Sequence, residues 1–259
     1  MKENKAIAIG KRLKDCRNVI TLGLKTNFSA YAKEQQSRII SGEKIYYPTA
    51  FYADILNTAK IPMFPSYHNY KYAQDKIKQT ALFQVLGISH PKTKVFYAFK
   101  RERITELFKY PFIAKIPRGS AMGRGVYLIK DKEELREYLK NTKIAYIQEY
   151  LPIKRDIRVV IIGGKAVIAY FRTAYAENFK TNVSAGGIIS FENIPKEAVE
   201  FAEYAAQKCG FDDAGIDVCE YKKKYYILEA NIKYGKQGFK AAGIDYVKLM
   251  EGKIDKNEI

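Results

Sequence analysis

The sequence lacks tryptophan and contains only two histidines and three cysteines among its 259 residues. Neither His68 nor His90 lies near a cysteine, so a zinc site is not expected. The cysteines (Cys16, Cys209 and Cys219) are odd in number and have no C-x-x-C spacing. The apolar segment near the N-terminus is too short for a signal peptide. Together these features predict a protein of the reducing cytoplasm.

Long apolar runs are also absent, so a membrane is not an expected partner. A hydrophobic fraction of 47% is typical of a folded chain, and this length allows one large domain or two to three small lobes. The net charge of +17 would attract nucleic acid, nucleotides or acidic peptides, unless it reflects compositional bias. Tyrosine is abundant, but no RNA-binding or zinc-finger pattern is present, which disfavours nucleic acid.

The apolar pattern of the first 70 residues predicts a small α/β lobe. The segments KAIAIG and NVITLGL are typical of short buried strands, and IPMF is at best another. Helices are predicted over 29–40 and 49–58, with Pro48 suitably placed for a helix start.

The remaining chain alternates predicted strands and helices. A helix is predicted within 70–87 from the spacing of five apolar residues, and Gly87 is a candidate for its end; the five are Ile77, Ala81, Leu82, Val85 and Leu86. Predicted strands follow in PFIAKIP, VYLIK, IAYIQEYL, DIRVVIIGG and KAVIAYFRTA. Helices are predicted in DKEELREYLKN and PKEAVEFAEYAAQKC, and Gly163-Gly164 predicts a hairpin turn.

The most informative segment is AGIDVCEYKKKYYILEAN, which places Asp217 on one apolar run and Glu229 with Asn231 on the next. Side chains two residues apart in a strand point the same way, so Glu229 and Asn231 share a face. If the Asp217 strand is adjacent, three oxygen ligands suited to Mg²⁺ converge. The alternative is a hairpin whose polar residues merely face water.

A second pattern places Lys115 at the end of a strand, directly before the glycine-rich loop RGSAMGRG. Glycines let backbone N–H groups approach phosphate oxygens, and a lysine beside them supplies a positive charge. The loop is neither a Walker A motif nor a dinucleotide-binding fingerprint. An ordinary glycine-rich hairpin is the alternative.

Charged residues also interrupt the apolar strands that follow. Asp156 and Arg158 share a strand face with Val160, and Arg172 ends the partner strand. Such charges are costly among Val and Ile unless they are paired or used in function, so ion pairs of purely structural value are the alternative. In the loop FKTNVSAGG, Lys180 and Asn182 are candidates for phosphate and metal contacts, or part of a simple surface loop.

In this order, the motifs resemble those of the ATP-grasp superfamily, and within it the RimK-type family of glutamate ligases. The matching segments, over roughly residues 71–250, are DKIKQTALFQVLGISHPKT, Lys115 with GSAMGRGV, QEYL, DIR, Arg172, KTN with AGG, AGID, EAN and a later GID. Each motif is weak alone, but the ordered set is specific. The chain departs from the family at Lys233-Tyr234-Gly235, where the family has a small residue and proline before glycine.

The resemblance implies a role for each matching residue. Two residues, Arg158 and Arg172, are expected to bind the substrate carboxylate and the transferring phosphoryl group. ATP contacts are expected from Lys76, Lys115, Gly119, Ser120, Gly123, Gly125, Gln148, Glu149, Tyr150, Asp156, Lys180, Thr181 and Asn182. Among these, 148–150 would form the adenine hinge and Asp156 would lie near the ribose. Two Mg²⁺ ions, or Mn²⁺ in their place, would be held by Asp217, Glu229 and Asn231.

The resemblance therefore implies an α+β protein of the ATP-grasp fold. The expected parts are an N-terminal α/β lobe over 1–70, a central lobe with the phosphate loop over 71–148, and a C-terminal lobe with the metal site over 149–259. The implied activity is that of an ADP-forming ligase, which joins a carboxylate to an amine through an acyl phosphate. Glutamate added to an acidic peptide or protein would suit the positive charge.

Three alternatives stay open at this stage. The chain would be a ligase of a small metabolite, a non-catalytic ATP-binding regulator, or a basic nucleic-acid binder. The intact Asp217, Glu229 and Asn231 set argues against the regulator, and the missing recognition motifs argue against the third. A homo-oligomer is neither required nor excluded.

Overall fold

The computed structural model describes residues 5–73, 75–118, 125–174 and 187–259. Its first part is a parallel sheet in the order β2-β1-β3-β4, flanked by two helices. The strands are β1 (Ala6–Ala8), β2 (Val19–Thr21), β3 (Ile45–Tyr46) and β4 (Met63–Phe64). The helices are α1 (Lys33–Ile40) and α2 (Thr49–Thr58), with short 3-10 turns at Lys11–Leu13 and Phe28–Ala30. The predicted α/β lobe is confirmed.

The helix predicted over 29–40 was too long at its start. Residues Phe28–Ala30 form a separate 3-10 turn, and the backbone of Tyr31 is extended. The Tyr31 ring is buried and its hydroxyl donates a hydrogen bond to the Gly23 carbonyl oxygen at 2.8 Å. This anchor interrupts the helix, which begins only at Lys33.

The central sheet is antiparallel, in the order β5-β8-β6-β7. Its strands are β5 (Thr93–Tyr97), β6 (Phe112–Lys115), β7 (Val126–Ile129) and β8 (Ile144–Glu149). The helices of this part are α5 (Ile104–Leu107) and α6 (Lys132–Lys140), preceded by a 3-10 turn at Ala98–Arg103. Asp131 caps α6 by accepting hydrogen bonds from the amides of Glu133 and Glu134. The strands and the helix predicted here are confirmed.

The C-terminal sheet has five antiparallel strands, in the order β11-β10-β9-β12-β13. They are β9 (Arg155–Ile162), β10 (Lys165–Thr173), β11 (Ile188–Ser190), β12 (Asp213–Tyr221) and β13 (Lys224–Asn231). The helices around it are α3 (Tyr67–Tyr72), α4 (Lys76–Val85), α7 (Lys196–Cys209), α8 (Gln237–Ala241) and α9 (Tyr246–Asp255). No helix in the described ranges is long and apolar enough to cross a membrane.

Strand β9 is buried along nearly its whole length because both faces of the sheet are covered. Ile157, Val159 and Ile161 pack in one cluster with the alanines of α7. Val160 and Ile162 point the other way, into a cluster with the first sheet and α9. Asp156 and Arg158 share this second face. The alternation of the sequence is therefore preserved, but both sides lie inside the protein.

The predicted apolar stripe of α4 was partly wrong. Val85 is 83% exposed and Ala81 is exposed, whereas Gln79 and Thr80 are buried. The Gln79 side chain accepts a hydrogen bond from the Ala230 amide and donates one to the Ala230 carbonyl oxygen, both at 2.9 Å. Gln79 therefore faces inward because it completes the backbone hydrogen bonding of the sheet edge at β13. The lobe boundaries predicted at 70/71 and 148/149 stay a prediction.

The start of β12 is fixed to α3 by a polar network. Asp212 accepts a hydrogen bond from the Ser66 amide at 2.8 Å, and Asn69 donates to the Asp213 carbonyl oxygen at 2.6 Å. Burial raises the pKa of Asp212 to about 6, although its hydrogen bond from Ser66 opposes the increase. The charged form of this carboxylate is therefore unfavourable in the folded protein.

Replacing Asp212 by asparagine should stabilise the protein at neutral pH. A carboxyl group whose pKa is raised by folding contributes stability below its unfolded pKa, and that stability is lost as pH rises from about 4 to about 6. The new amide oxygen would still accept the hydrogen bond from Ser66, so the Asp212→Asn variant should gain up to about 3 kcal/mol at pH 7.5 and nothing at pH 4. Urea unfolding at both pH values measures this gain, and Asp54→Asn on the exposed face of α2 is the control. An equal gain at both pH values would contradict the argument.

Candidate active site on the C-terminal sheet

The register of the C-terminal sheet places four polar side chains in one row. Tyr170 on β10 is opposite Arg158 on β9, Arg158 is opposite Asp217 on β12, and Asp217 is opposite Glu229 on β13. Directly opposed residues in antiparallel strands project from the same face. The Asp217 and Glu229 strands are therefore adjacent, which the sequence had left as a condition.

Asn231 lies on the same face as this row. It is opposite Gly215, two residues before Asp217 on β12. A Cβ atom on Gly215 would lie 2.7 Å from the Tyr234 Cβ and 2.9 Å from the Arg158 Nη1. Only glycine allows both side chains to approach the strand at this point.

Asp217 is buried and contacts two guanidinium groups. Arg158 donates from Nε to one carboxylate oxygen and from Nη2 to the other at 3.1 Å, and Arg172 Nη2 lies 3.0 Å from the second oxygen. Burial by itself would raise the pKa of Asp217, but Arg158 and Arg172 hold it below its usual value. Asp217 is therefore charged at any physiological pH.

Arg172 is also paired with Asp156 through two hydrogen bonds. The donors Nε and Nη2 lie 2.8 and 2.7 Å from the two Asp156 oxygens, and both side chains are buried. The two predicted arginines thus meet at Asp217, where the sequence suggested pairing only as a structural alternative. Arg158 and Arg172 therefore form ion pairs with carboxylates of neighbouring strands. Their role in binding substrate stays a prediction.

Glu229 is held by Lys76, which is the first residue of α4. The Lys76 Nζ lies 2.8 Å from Glu229 Oε1. The preceding residue, Asp75, caps the helix and also accepts a hydrogen bond from Arg118 at 2.9 Å. The start of α4 therefore links Arg118, which directly precedes the glycine-rich segment, to the edge of the carboxylate row.

Lys115 brings the central sheet to the same site. It ends β6, is 8% exposed, and has Glu229, Lys76 and Asp217 as electrostatic neighbours. Burial lowers the pKa of its ammonium group below the usual value, Glu229 opposes that decrease, and Lys76 adds to it. Among the residues that the structure describes, no carboxylate lies within ion-pair distance of Lys115. Its charge is therefore available to an anionic ligand.

The other predicted ATP contacts are placed less directly. Gln148 is buried and donates a hydrogen bond to Thr93, and Glu149 accepts one from the Lys92 amide, so both side chains are already engaged at the end of β8. Tyr150 follows them. Gly125 has a φ of +72°, which favours glycine, and its carbonyl accepts a hydrogen bond from Ile116. The remaining residues, Gly119, Ser120, Gly123, Lys180, Thr181 and Asn182, lie outside the described residues.

The site fits a magnesium ion in its donor chemistry. Asp217, Glu229 and Asn231 provide two carboxylates and an amide oxygen on one face, which are donors that Mg²⁺ accepts together with substrate phosphates. The described ranges contain no cluster of three His, Cys, Asp or Glu side chains placed to hold a metal. Both carboxylates are neutralised by Lys76, Arg158 and Arg172, which are cations that a metal would have to displace or share.

Sequence reasoning missed two residues of the site. Gln79 fixes α4 beside Glu229, and Cys219 is a buried thiol with Lys115 as an electrostatic neighbour. A polar residue on the apolar side of a helix was the only available signal for Gln79. Cys219 lies two residues after Asp217 on β12, which pairs regularly with β9 there, so the two-residue period of the strand was the available signal.

The architecture is that of the ATP-grasp proteins. The RimK domain protein ATP-grasp of Sphaerobacter thermophilus has a TM-score of 0.70 at 14% identity, over 96% of this chain and 98% of that one, which shows the fold. The RimK-like ATP-grasp domain profile matches residues 73–254. The chain belongs to the RimK-like ATP-grasp family.

Two curated relatives show how far the similarity extends. The coenzyme gamma-F420-2:alpha-L-glutamate ligase of Methanococcus maripaludis is 32% identical over 186 residues, which cover 68% of this chain and 64% of that protein. The ribosomal protein bS6–L-glutamate ligase of Salmonella paratyphi B is 29% identical over 190 residues, which cover 69% and 62%. The match thus spans less than two thirds of each relative's length. The prediction of the family and fold is confirmed.

Proposed function

We propose that the chain is an ATP-dependent carboxylate–amine ligase that releases ADP and phosphate. The observation that carries the proposal is the position of Lys115, which ends a strand of the central sheet and has Glu229 and Asp217 of the C-terminal sheet as electrostatic neighbours. Four cations (Lys76, Lys115, Arg158 and Arg172) surround three carboxylates (Asp156, Asp217 and Glu229), which leaves the site positive. Such a site suits a polyphosphate and a metal that share it.

In this proposal, ATP lies between the central and C-terminal sheets. Lys115 would bind the phosphates, with Lys76 beside it and the 119–125 loop over them. Magnesium held by Asp217, Glu229 and Asn231 would neutralise charge on the phosphate oxygens. The adenine would lie near 148–150 at the end of β8.

The reaction would proceed in two displacements. A carboxylate oxygen of the acid substrate attacks the γ-phosphorus, the bond to the ADP oxygen breaks, and an acyl phosphate forms. The amine nitrogen then attacks the carbonyl carbon, the carbon–oxygen bond to phosphate breaks, and the nitrogen loses a proton to solvent. Both steps place negative charge on oxygen. Arg158 is suited to stabilise that negative charge. Of its three nitrogens, only Nε and Nη2 donate hydrogen bonds to Asp217, and the third, Nη1, lies over Gly215.

The names of both relatives suggest glutamate as the amino acid, but their acceptors differ. One is named for a coenzyme and the other for a ribosomal protein. The net charge of +17 favours an acidic peptide or protein over a neutral metabolite. We also retain the three lobes over 1–70, 71–148 and 149–259, and the cytoplasm as the location, as parts of the proposal.

A screen for ADP release tests the activity. Each amino acid is supplied as the amine with ATP, Mg²⁺ and an acidic acceptor, here an α-linked glutamate dipeptide. We expect ADP only when amine and acid are both present, most of it with glutamate, and a product heavier by one glutamyl residue in mass spectrometry. Chelation of the metal is the control and should abolish release. ATP binding without ADP formation from any pair would instead indicate a non-catalytic regulator.

A further inference from the structure

A second polar cluster lies between the first sheet and the C-terminal sheet. The first sheet has the order β2-β1-β3-β4. Strands β2 and β3 therefore lie on opposite sides of β1, so the strand order reverses between β1 and β3. Open α/β sheets bind ligands outside the carboxyl ends of two such strands. Here those ends lead into Arg12, after β1, and into Tyr47 and Thr49, after β3.

This cluster contains several polar atoms that have no hydrogen-bond partner in the described residues. They are Arg12 Nη2, the Tyr47 hydroxyl, the Thr49 hydroxyl and Asp213 Oδ2, and each is buried. Buried polar groups are normally satisfied, so this concentration is unusual. We define the Arg12 cluster as Arg12, Tyr47, Thr49, Asp213, Tyr234 and Tyr246.

The direct contacts of Arg12 are with two tyrosines. Its Nε donates to the Tyr246 hydroxyl at 2.8 Å and its Nη1 to the Tyr234 carbonyl oxygen at 3.4 Å. The guanidinium carbon lies 4.2 Å from the centre of the Tyr234 ring. The Tyr234 hydroxyl donates to Asp213, and this buried carboxylate is also an electrostatic neighbour of Arg12. No ion pair joins Arg12 to a carboxylate within the described part of the chain.

The backbone on the first-sheet side of the Arg12 cluster is strained. Tyr47 has a φ of +44° and Thr49 a φ of +70°. A β-branched residue such as threonine rarely adopts this region, and strain of this kind concentrates where ligands bind.

The cluster borders both solvent and the candidate active site. Arg12 is half-buried, and the exposed Lys236 places its ammonium 4.3 Å from the centre of the Tyr246 ring. On the other side, Tyr234 and Arg158 approach the same point over Gly215. A group bound at Arg12 would therefore be one side chain away from the carboxylate row.

We propose that the Arg12 cluster is a carboxylate-binding subsite that holds an acidic side group of the acceptor, with Arg12 as its main determinant. Arginine matches a carboxylate with planar N–H donors, and Nη2 is the buried donor that has no hydrogen-bond partner among the described residues. Lys236 adds a second positive charge at the solvent side. The hydroxyls of Tyr47 and Thr49 provide further donors. The inference rests on the proposed ligase function for its biological meaning, but not for its test.

Binding without turnover tests the subsite. The α-linked glutamate dipeptide is titrated by calorimetry into protein saturated with Mg²⁺ and a non-hydrolysable ATP analogue. We expect the Arg12→Met variant to bind the dipeptide about tenfold more weakly or worse, because a charged donor is lost, and the ATP analogue as tightly as the wild type does. The Arg12→Lys variant keeps the charge but loses the planar donors, so its affinity for the dipeptide should lie between those of the wild type and Arg12→Met.

Lys11→Met is the matched control, since Lys11 is exposed in the same 3-10 turn. An equal loss in Lys11→Met, unchanged binding in Arg12→Met, or no dipeptide binding by the wild type would each overturn the subsite. If Arg12→Met does not fold, Tyr47→Phe removes a single hydroxyl and should weaken the dipeptide about threefold; unchanged binding would then count against the proposal. ADP release that does not depend on Arg12 would leave the ligase and remove the subsite. Dipeptide binding that depends on Arg12, without ADP release, would support the subsite and count against the ligase function.

Discussion

Replacing Glu229 by glutamine should reduce ADP release at least about a hundredfold while the chain remains folded. Glutamine keeps the size of the side chain but removes the charge that faces Lys76 and Lys115 and that would balance the metal. Steady-state ADP release at saturating Mg²⁺ measures the effect. Loss of the half-buried ion pair with Lys76 should cost only about 1 kcal/mol, which corresponds to a melting temperature lower by a few degrees.

Glu220→Gln is the matched control for this variant. Glu220 lies on β12, next to β13 in the same sheet, but is exposed. Its turnover should equal that of the wild type. Near-normal turnover by Glu229→Gln would place the metal site elsewhere and reduce the carboxylate row to a structural feature of the sheet.

Replacing Lys115 by methionine should weaken ATP binding by about a hundredfold, because a charged contact to phosphate is lost in a buried site. Methionine is chosen because Lys115 is 8% exposed and its stem is packed. Removing a buried ammonium without an ion-pair partner should leave the free energy of unfolding unchanged or higher. Calorimetric titration of ATP together with urea unfolding separates the two quantities.

The same lysine predicts a dependence of ATP binding on pH. Its pKa is lowered by burial, and the charged form binds phosphate, so wild-type affinity should fall as pH rises through that lowered pKa. Lys115→Arg remains charged throughout and should show a flat profile. Lys94→Met, on the exposed side of β5, is the charge control. ATP binding by Lys115→Met equal to that of the wild type would remove Lys115 from the nucleotide site.

Most of the secondary structure followed from local pattern. The limits of α2, Thr49–Thr58, are those that the sequence predicted, and Gly163-Gly164 does connect β9 to β10. The start of α1 was misplaced because a buried tyrosine, Tyr31, holds the preceding turn in an extended conformation. The inward face of α4 was misjudged because Gln79 satisfies the backbone of a distant strand, which no local period encodes.

The sequence by itself determined the family, the two strands that bear Asp217, Glu229 and Asn231, and the common face of Glu229 and Asn231. These properties depend on residue order and on the two-residue period of a strand, which is local. Only the tertiary structure decided what those side chains contact. Arg158 and Arg172 meet at Asp217 because β9, β10 and β12 are neighbours, and Lys115 of the central sheet has Glu229 and Asp217 as electrostatic neighbours. The Arg12 cluster also depends on contacts between residues more than 200 positions apart, since burial and pairing are set by packing of distant segments and leave no periodic signal in the chain.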